Sequence, residues 1–129
     1  IQVFNDGKMI RDFTYIDDIV SGVKGAILNS SKVTESDNVK LKPSISSAPY
    51  RIFNLGNNQP VTLENFINAI EASVGKKAIK EYLPMQPGDV KKTFANIDKA
   101  GKSLGFVPTT SIEEGVKKFV DWYIEYYER

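Results

Sequence analysis

A chain of 129 residues is enough for one domain, since a compact protein of this size buries roughly two thirds of its extended surface. Its composition, 41% hydrophobic and 26% charged, is that of an ordinary globular protein, and no apolar run approaches the roughly 18 residues a membrane span needs. A net charge of +1 gives no field for nucleic acid, while zero cysteines and zero histidines remove disulfides, thiolate chemistry, the commonest metal ligand and the commonest general base.

Neither a membrane nor a nucleic-acid partner is therefore expected, and the lack of cysteine fits a reducing cytoplasm. The chain opens on Ile1, and IQVF offers neither a basic leader nor a small-residue cleavage site, so it reads as starting within a longer protein.

In chain order, IQVF predicts a strand ended by the turn signal Asn5-Asp6-Gly7, and residues 12–15 predict a second short strand. From residue 16 to about 29, Ile16, Ile19, Val20, Val23 and Ile27 recur at helical spacing, with Asp17 and Asp18 at the positive end of the helix dipole. Residues 30–49 hold six serines and predict a long surface loop. Residues 50–55 predict a strand closed by Gly56-Asn57-Asn58. After Pro60 a helix capped by Thr62 buries Leu63, Phe66, Ile67, Ile70 and Val74, and stops at Gly75.

Residues 78–83 predict another strand, and Pro84, Pro87 and Gly88 hold a non-helical loop after it. A short helix capped by Asn96 follows, with Ile97, Ala100 and Leu104 on one face before Gly105. Ser111 and Glu114 make a capping box for the last helix. It carries Ile112, Phe119, Val120, Tyr123 and Tyr127 along one side, and Glu113, Lys117, Lys118, Asp121 and Glu125 on or near the other. The aromatic series Phe119, Trp122, Tyr123, Tyr126 and Tyr127 reads as core packing with a wet edge. Strands alternating with helices give an α/β class, as one small mixed α/β lobe spanning residues 1–129 with a small or incomplete sheet.

Two residues stand out chemically. Arg11, between a turn and a strand, presents a five-donor fork that suits a diphosphate, although an ion pair with Asp12, Asp17 or Asp18 is the ordinary reading. Asp89, after Pro87-Gly88, would project a carboxylate able to accept from two vicinal hydroxyls, as on a ribose. Gln86 nearby offers both a donor and an acceptor, and the ordinary alternative for both residues is a satisfied turn. Asp17 with Asp18 reads as serving the helix dipole, and Lys76, Lys77, Lys80, Lys91 and Lys92 as a solvated face.

Four blocks in order, FNDGKMIRDFTYIDDIV, YRIFNLGNNQPVTLENFINAIE, LPMQPGDV and NIDKAGKSLGFVPTTSIEEGVKKFVDWY, resemble the carboxyl-terminal part of UDP-glucuronate 4-epimerases, which are extended short-chain dehydrogenase/reductase proteins. The resemblance covers almost the whole chain outside the serine-rich stretch. It implies a substrate-binding lobe of an enzyme whose N-terminal Rossmann domain, absent here, holds NAD and whose Tyr-x-x-x-Lys motif works with that cofactor to invert the sugar C4. It implies a homodimeric parent and a UDP-sugar substrate. By resemblance, Val3 and Phe4 lie where backbone groups meet the uracil, Arg11 where the diphosphate is bound, and Asp89 where the ribose hydroxyls are held. Gln86 stands where many UDP-galactose 4-epimerases have arginine, which favours the glucuronate branch.

None of the six tyrosines has a lysine four positions downstream, and the chain carries no glycine-rich dinucleotide fingerprint. These residues alone are therefore expected to bind no NAD, to contain no catalytic residue and to be inactive. A related decarboxylase or 4,6-dehydratase would share the lobe, and a free-standing nucleotide-binding or interaction module is the reading from another class.

Overall fold

Segments from the two halves of the chain meet as strands: β1 (Gln2–Phe4) pairs in parallel with β4 (Glu81–Leu83), placing Val3 opposite Tyr82 and Phe4 opposite Leu83. The computed structural model describes residues 1–29 and 49–127, so the loop predicted over 30–49 lies outside the described residues apart from residue 49. Val3 is 1% exposed, which makes it a fixed point of the core. After β1 a 3-10 turn at Asn5–Gly7 reverses the chain with Asn5, Asp6 and Gly7 all at positive φ, a conformation that asparagine, aspartate and glycine tolerate best.

The second strand, β2 (Ile10–Arg11), begins two residues before the predicted position and pairs antiparallel with β3 (Val61–Thr62), Arg11 facing Val61. On its other side Ile10 makes a parallel bridge to Lys92, through Ile10 N–H to Lys91 O at 2.9 Å and Thr93 N–H to Ile10 O at 3.2 Å. Residues 12–15 form no strand because Asp12 turns its carboxylate to the backbone of neighbouring loops, as described below.

Among the described residues four α-helices follow the predicted order. The first, α1 (Ile16–Leu28), ends within one residue of the expected stop. Its exterior is the reverse of the expectation: Ile16, Val20, Val23 and Ile27 are largely exposed, and the buried positions are Asp18 and Gly22. The glycines explain it. A Cβ on Gly22 would come within 2.7 Å of Leu55 and 3.0 Å of Phe106, and one on Gly25 within 2.8 Å of the Leu104 carbonyl oxygen. The helix thus docks by its smallest residues, and the apolar stripe is left facing out.

Thr62 caps α2 (Leu63–Val74) by accepting the Asn65 N–H at 3.2 Å, and Gly75 ends it at φ 73°. The α3 helix (Asp98–Leu104) starts one residue later than predicted: Ile97 is the cap, and Asn96 Oδ1 accepts from Asp98 N–H at 3.0 Å. Ser111 Oγ accepts from Glu114 N–H at 3.2 Å at the start of α4 (Ile112–Tyr127), half of the expected box, while the Glu114 side chain pairs with Lys118. Ala69 of α2 packs with Val116 and Val120 of α4, flanked by Phe66, Ile70 and Ile112, and Phe13 stacks on Phe66 at 4.1 Å. The aromatic series of α4 is a wet face and not core, since Phe119, Trp122, Tyr123, Tyr126 and Tyr127 stay about half exposed and stack on one another. Helical spacing put them near one stripe, but small Val116 and Val120 take the contact with α2.

The strand predicted over 50–55 is also not formed: Arg51 makes a single bridge, and the rest of the segment has no ladder. Side chains hold it instead. Lys99 Nζ donates to Ile52 O at 2.8 Å, and Asn54 Nδ2 donates to Asn96 O at 3.4 Å.

Glu71 ties α2 to the approach of β4. Its buried carboxylate accepts from Lys77 Nζ at 2.6 Å and Ala78 N–H at 3.0 Å, with Lys80 Nζ at 3.6 Å, while Lys80 also bonds Glu64 at 2.6 Å. The Lys77 and Ala78 donors bring the Glu71 carboxyl down to about 2. A carboxyl lowered in the folded state stabilises above the ordinary carboxylate range, and that contribution is lost as pH falls toward about 2. Glu71→Gln is expected to lower the urea midpoint at neutral pH, with the difference from wild type closing as pH is taken toward 2. Gly25→Ala is expected to cost about 1–3 kcal/mol by forcing α1 off the Leu104 carbonyl, measured by chemical denaturation.

Candidate functional site

β1 and β4 run parallel, so Phe4 and Leu83 leave the sheet at the same end. From that end the chain enters the 3-10 turn on one side and Pro84 on the other. Residues 86–89 then close a tight turn, Asp89 N–H to Gln86 O at 3.2 Å. Gly88 at φ 83° follows Pro87, the arrangement of a type II turn, in which only glycine is comfortable at the third position. This rigid turn delivers Asp89 to β2.

There the Asp89 carboxylate meets Arg11: Arg11 Nη2 lies 3.0 Å from Asp89 Oδ1, and Nη1 donates to the carbonyl of Ile10 at 2.9 Å. Val90 N–H also donates to Asp89 Oδ1 at 3.0 Å. The structure therefore brings together Arg11 and Asp89, residues chosen separately on sequence grounds, and the ion pair is not with Asp12, Asp17 or Asp18. The two side chains remain 27% and 31% exposed, so both reach solvent. Gln86 is exposed at the start of the turn, and its carbonyl serves the turn. Val3 is buried beside Phe4 on the strand that leads to this face.

Of the lysines, Lys77 and Lys80 are held by Glu71 and Glu64, and Lys92 lies over the Phe94 ring at 5.0 Å. Neither residue of the pair lines either of two cavities in the lobe. One, of about 350 Å³, is apolar and lies between α2 and α4, lined by Phe13, Phe66, Ile70 and Val116 among others. The other, of about 520 Å³, is polar and is lined by Asp12, Thr14, Asn54, Gly56 and Thr93 among others. The Arg11–Asp89 pair lies between the Pro-Gly turn and β2.

Sequence reasoning missed two bracing carboxylates, of which Asp12 holds this face and Asp18 anchors α1 elsewhere. Asp12 Oδ2 accepts from Asn58 N–H at 3.0 Å and Ala95 N–H at 3.2 Å, and Oδ1 accepts from Gln59 N–H at 3.3 Å. Asp18 accepts from Thr109 and Thr110 N–H, each at 3.1 Å. Burial pushes the Asp18 carboxyl up, but the bonds from Thr109 and Thr110 outweigh it and hold it below its ordinary value. Asn57 is buried with Oδ1 unpaired among the described residues. No signal in the sequence marks these roles, since their partners are backbone N–H groups far along the chain.

The site does not fit a dinucleotide. Among the described residues Tyr15, Thr62, Ile97 and Ser111 precede the helices, so none of these helices opens on a glycine-rich turn that would cradle a dinucleotide. Among the described residues no group of three or more His, Cys, Asp or Glu side chains could hold a metal, and no helix is long and apolar enough to cross a membrane.

A family described as GDP-mannose 4,6 dehydratase matches residues 2–119. The chain is 47% identical over 130 residues to Protein CapI of Staphylococcus aureus, covering all of this chain and 39% of that protein. It is 42% identical over 135 residues to the probable UDP-glucuronate 4-epimerase of Rhizobium meliloti (strain 1021), covering all of this chain and 38% of that protein. The crystal structure of the Bacillus cereus UDP-glucuronic acid 4-epimerase, in complex with UDP-glucuronic acid and NAD, superposes with a TM-score of 0.75 at 30% identity, covering 98% of this chain and 36% of that one. The chain thus spans well under half the length of the relatives it matches.

A double-mutant cycle of Arg11→Ala with Asp89→Ala is expected to give a coupling of about 0.2–1 kcal/mol in the free protein, as for other partly exposed pairs. Raising the salt from 0.05 to 0.5 M should shrink it. A coupling that ignores salt would contradict the pairing.

Proposed function

The chain belongs to the GDP-mannose 4,6 dehydratase family, matched over residues 2–119, and on that premise we propose that it is the nucleotide-binding lobe of a UDP-glucuronate 4-epimerase. In this reading the whole enzyme inverts the sugar C4 through transient oxidation. NAD, held by residues outside these 129, would supply the hydride acceptor and donor for that oxidation and reduction. The 129 residues contribute binding and orientation only, and are inactive alone.

The observation that carries the reading is the 3.0 Å contact between Arg11 and Asp89 at the mouth of the Pro-Gly turn. In the free lobe the two groups neutralise each other. A UDP moiety offers both a better partner: the diphosphate oxygens take the guanidinium fork, and the released carboxylate accepts from the ribose hydroxyls. Opening a partly exposed ion pair costs on the order of 1 kcal/mol or less. Each charge-assisted hydrogen bond formed in exchange contributes roughly 1.5–3 kcal/mol, so the exchange favours the nucleotide. Val3 and Phe4, at the end of β1 that leads to the same face, would meet the uracil through their backbone, and Gln86 would flank the diphosphate as a neutral donor.

Nucleotide binding remote from C4 raises turnover by fixing the geometry of the sugar, which is why a lobe without reactive groups matters to the reaction. The dehydratase description of the family keeps a second reading in view, because a 4,6-dehydratase or a decarboxylase would grip the same nucleotide. The product formed by the whole enzyme separates them: UDP-galacturonate for the epimerase, a 4-keto-6-deoxy sugar or a pentose for the others.

Titration of the chain with UDP, UDP-glucuronate and uridine by NMR is the test. Weak UDP binding is expected, reduced roughly 10- to 100-fold in Arg11→Ala, with uridine binding unchanged because it has no phosphate. Equal UDP affinity in both proteins would overturn the reading.

A further inference from the structure

Asp12 follows Arg11 directly, and no ion pair among the described residues includes it. Its three hydrogen bonds all go to backbone N–H groups, on two segments that flank β2. Asn58 and Gln59 lie just before β3, the strand that pairs with Arg11. Ala95 lies just beyond Lys91 and Thr93, whose bonds to Ile10 set the segment carrying Asp89 against β2. The carboxylate therefore closes both sides of β2 at the end where Arg11 sits.

Two further features belong to this arrangement. Asn58 is in the left-handed region at φ 55°, which turns the successive N–H groups of Asn58 and Gln59 toward one anion in the manner of a backbone nest. Gly56 approaches so closely that a Cβ there would lie 2.6 Å from Ala95 Cβ and 2.9 Å from Asp12 Oδ2. Any side chain at 56 would wedge the clasp apart.

Resting on the nucleotide reading above, we infer that Asp12 is the positioning residue of the UDP grip: its carboxylate sets the distance between Arg11 and Asp89 by fastening both neighbours of β2. It touches no ligand itself. An asparagine at 12 would turn an amide NH2 toward backbone donors and lose part of the clasp.

Asp18 provides the control, because it also binds two backbone N–H groups but fastens α1 to residues 109–110, away from the Arg11–Asp89 pair. The measurements are thermal melting, UDP titration, and the Arg11–Asp89 coupling by double-mutant cycle without nucleotide, on the full chain carrying Asp12→Asn, Asp18→Asn or Gly56→Ala. Asp12→Asn and Gly56→Ala are expected to weaken UDP binding on the order of tenfold and to reduce the coupling, while Asp18→Asn lowers the melting temperature with UDP affinity unchanged. Should Asp12→Asn fail to fold, Gly56→Ala decides, since it leaves the carboxylate in place. Asp12→Asn or Gly56→Ala binding UDP as wild type does, or Asp18→Asn losing affinity equally, would overturn the inference. If the wild type binds no UDP, the nucleotide reading fails, but a coupling lost in Asp12→Asn and Gly56→Ala and kept in Asp18→Asn still sustains the positioning role.

Discussion

The parallel pairing of β1 with β4 is the constraint on which the remaining geometry depends. Val3, buried opposite Tyr82, fixes the register, and the register decides that the turn after Phe4 and the loop after Leu83 emerge side by side. Beyond the turns that follow each strand, Ile10 of β2 meets Lys92 in a further parallel bridge. A slip of one residue would turn Val3 to the opposite face and carry the Pro-Gly turn away from Arg11. Two groups far apart in the chain thus become neighbours through one short ladder.

With so short a ladder, much of the cohesion between segments comes from carboxylates that accept backbone N–H groups. Asp12 joins three segments, Asp18 joins α1 to the approach of α4, and Glu71 joins α2 to the approach of β4. Hydrogen bonds to a charged acceptor contribute more than neutral ones, and a partly buried carboxylate with several donors is harder to lose than a surface ion pair such as Lys117 with Asp121. These three acids act as cross-braces between segments.

Local signals in the sequence were dependable where the cause is local. Thr62, Gly75 and Gly105 stand at helix ends for reasons contained in one turn of backbone, and the turn before Asp89 follows from Pro87 and Gly88. Amphipathic spacing was less informative. It located α1 and α4 but could not say which face is covered, because Gly22 and Gly25 permit a closer approach than the apolar stripe does, and Val116 fits α2 better than Phe119. The segment 50–55 has strand-like residues but, beyond the single bridge at Arg51, forms no ladder among the described residues, and propensity alone does not supply one. Arg11 and Asp89 were found as individuals through the family resemblance; their contact, and the role of Asp12, exist only in three dimensions.

The chain has a single tryptophan, Trp122, half exposed and stacked on Tyr126 at 5.5 Å on the outer side of α4. An indole already in contact with water changes its surroundings little when the polypeptide opens, so its emission colour reports poorly on the loss of the core. Fluorescence melts of this protein will understate cooperative unfolding, whereas the amide signal of the helices, or the ring current that Phe13 and Phe66 impose on each other, will register it in full.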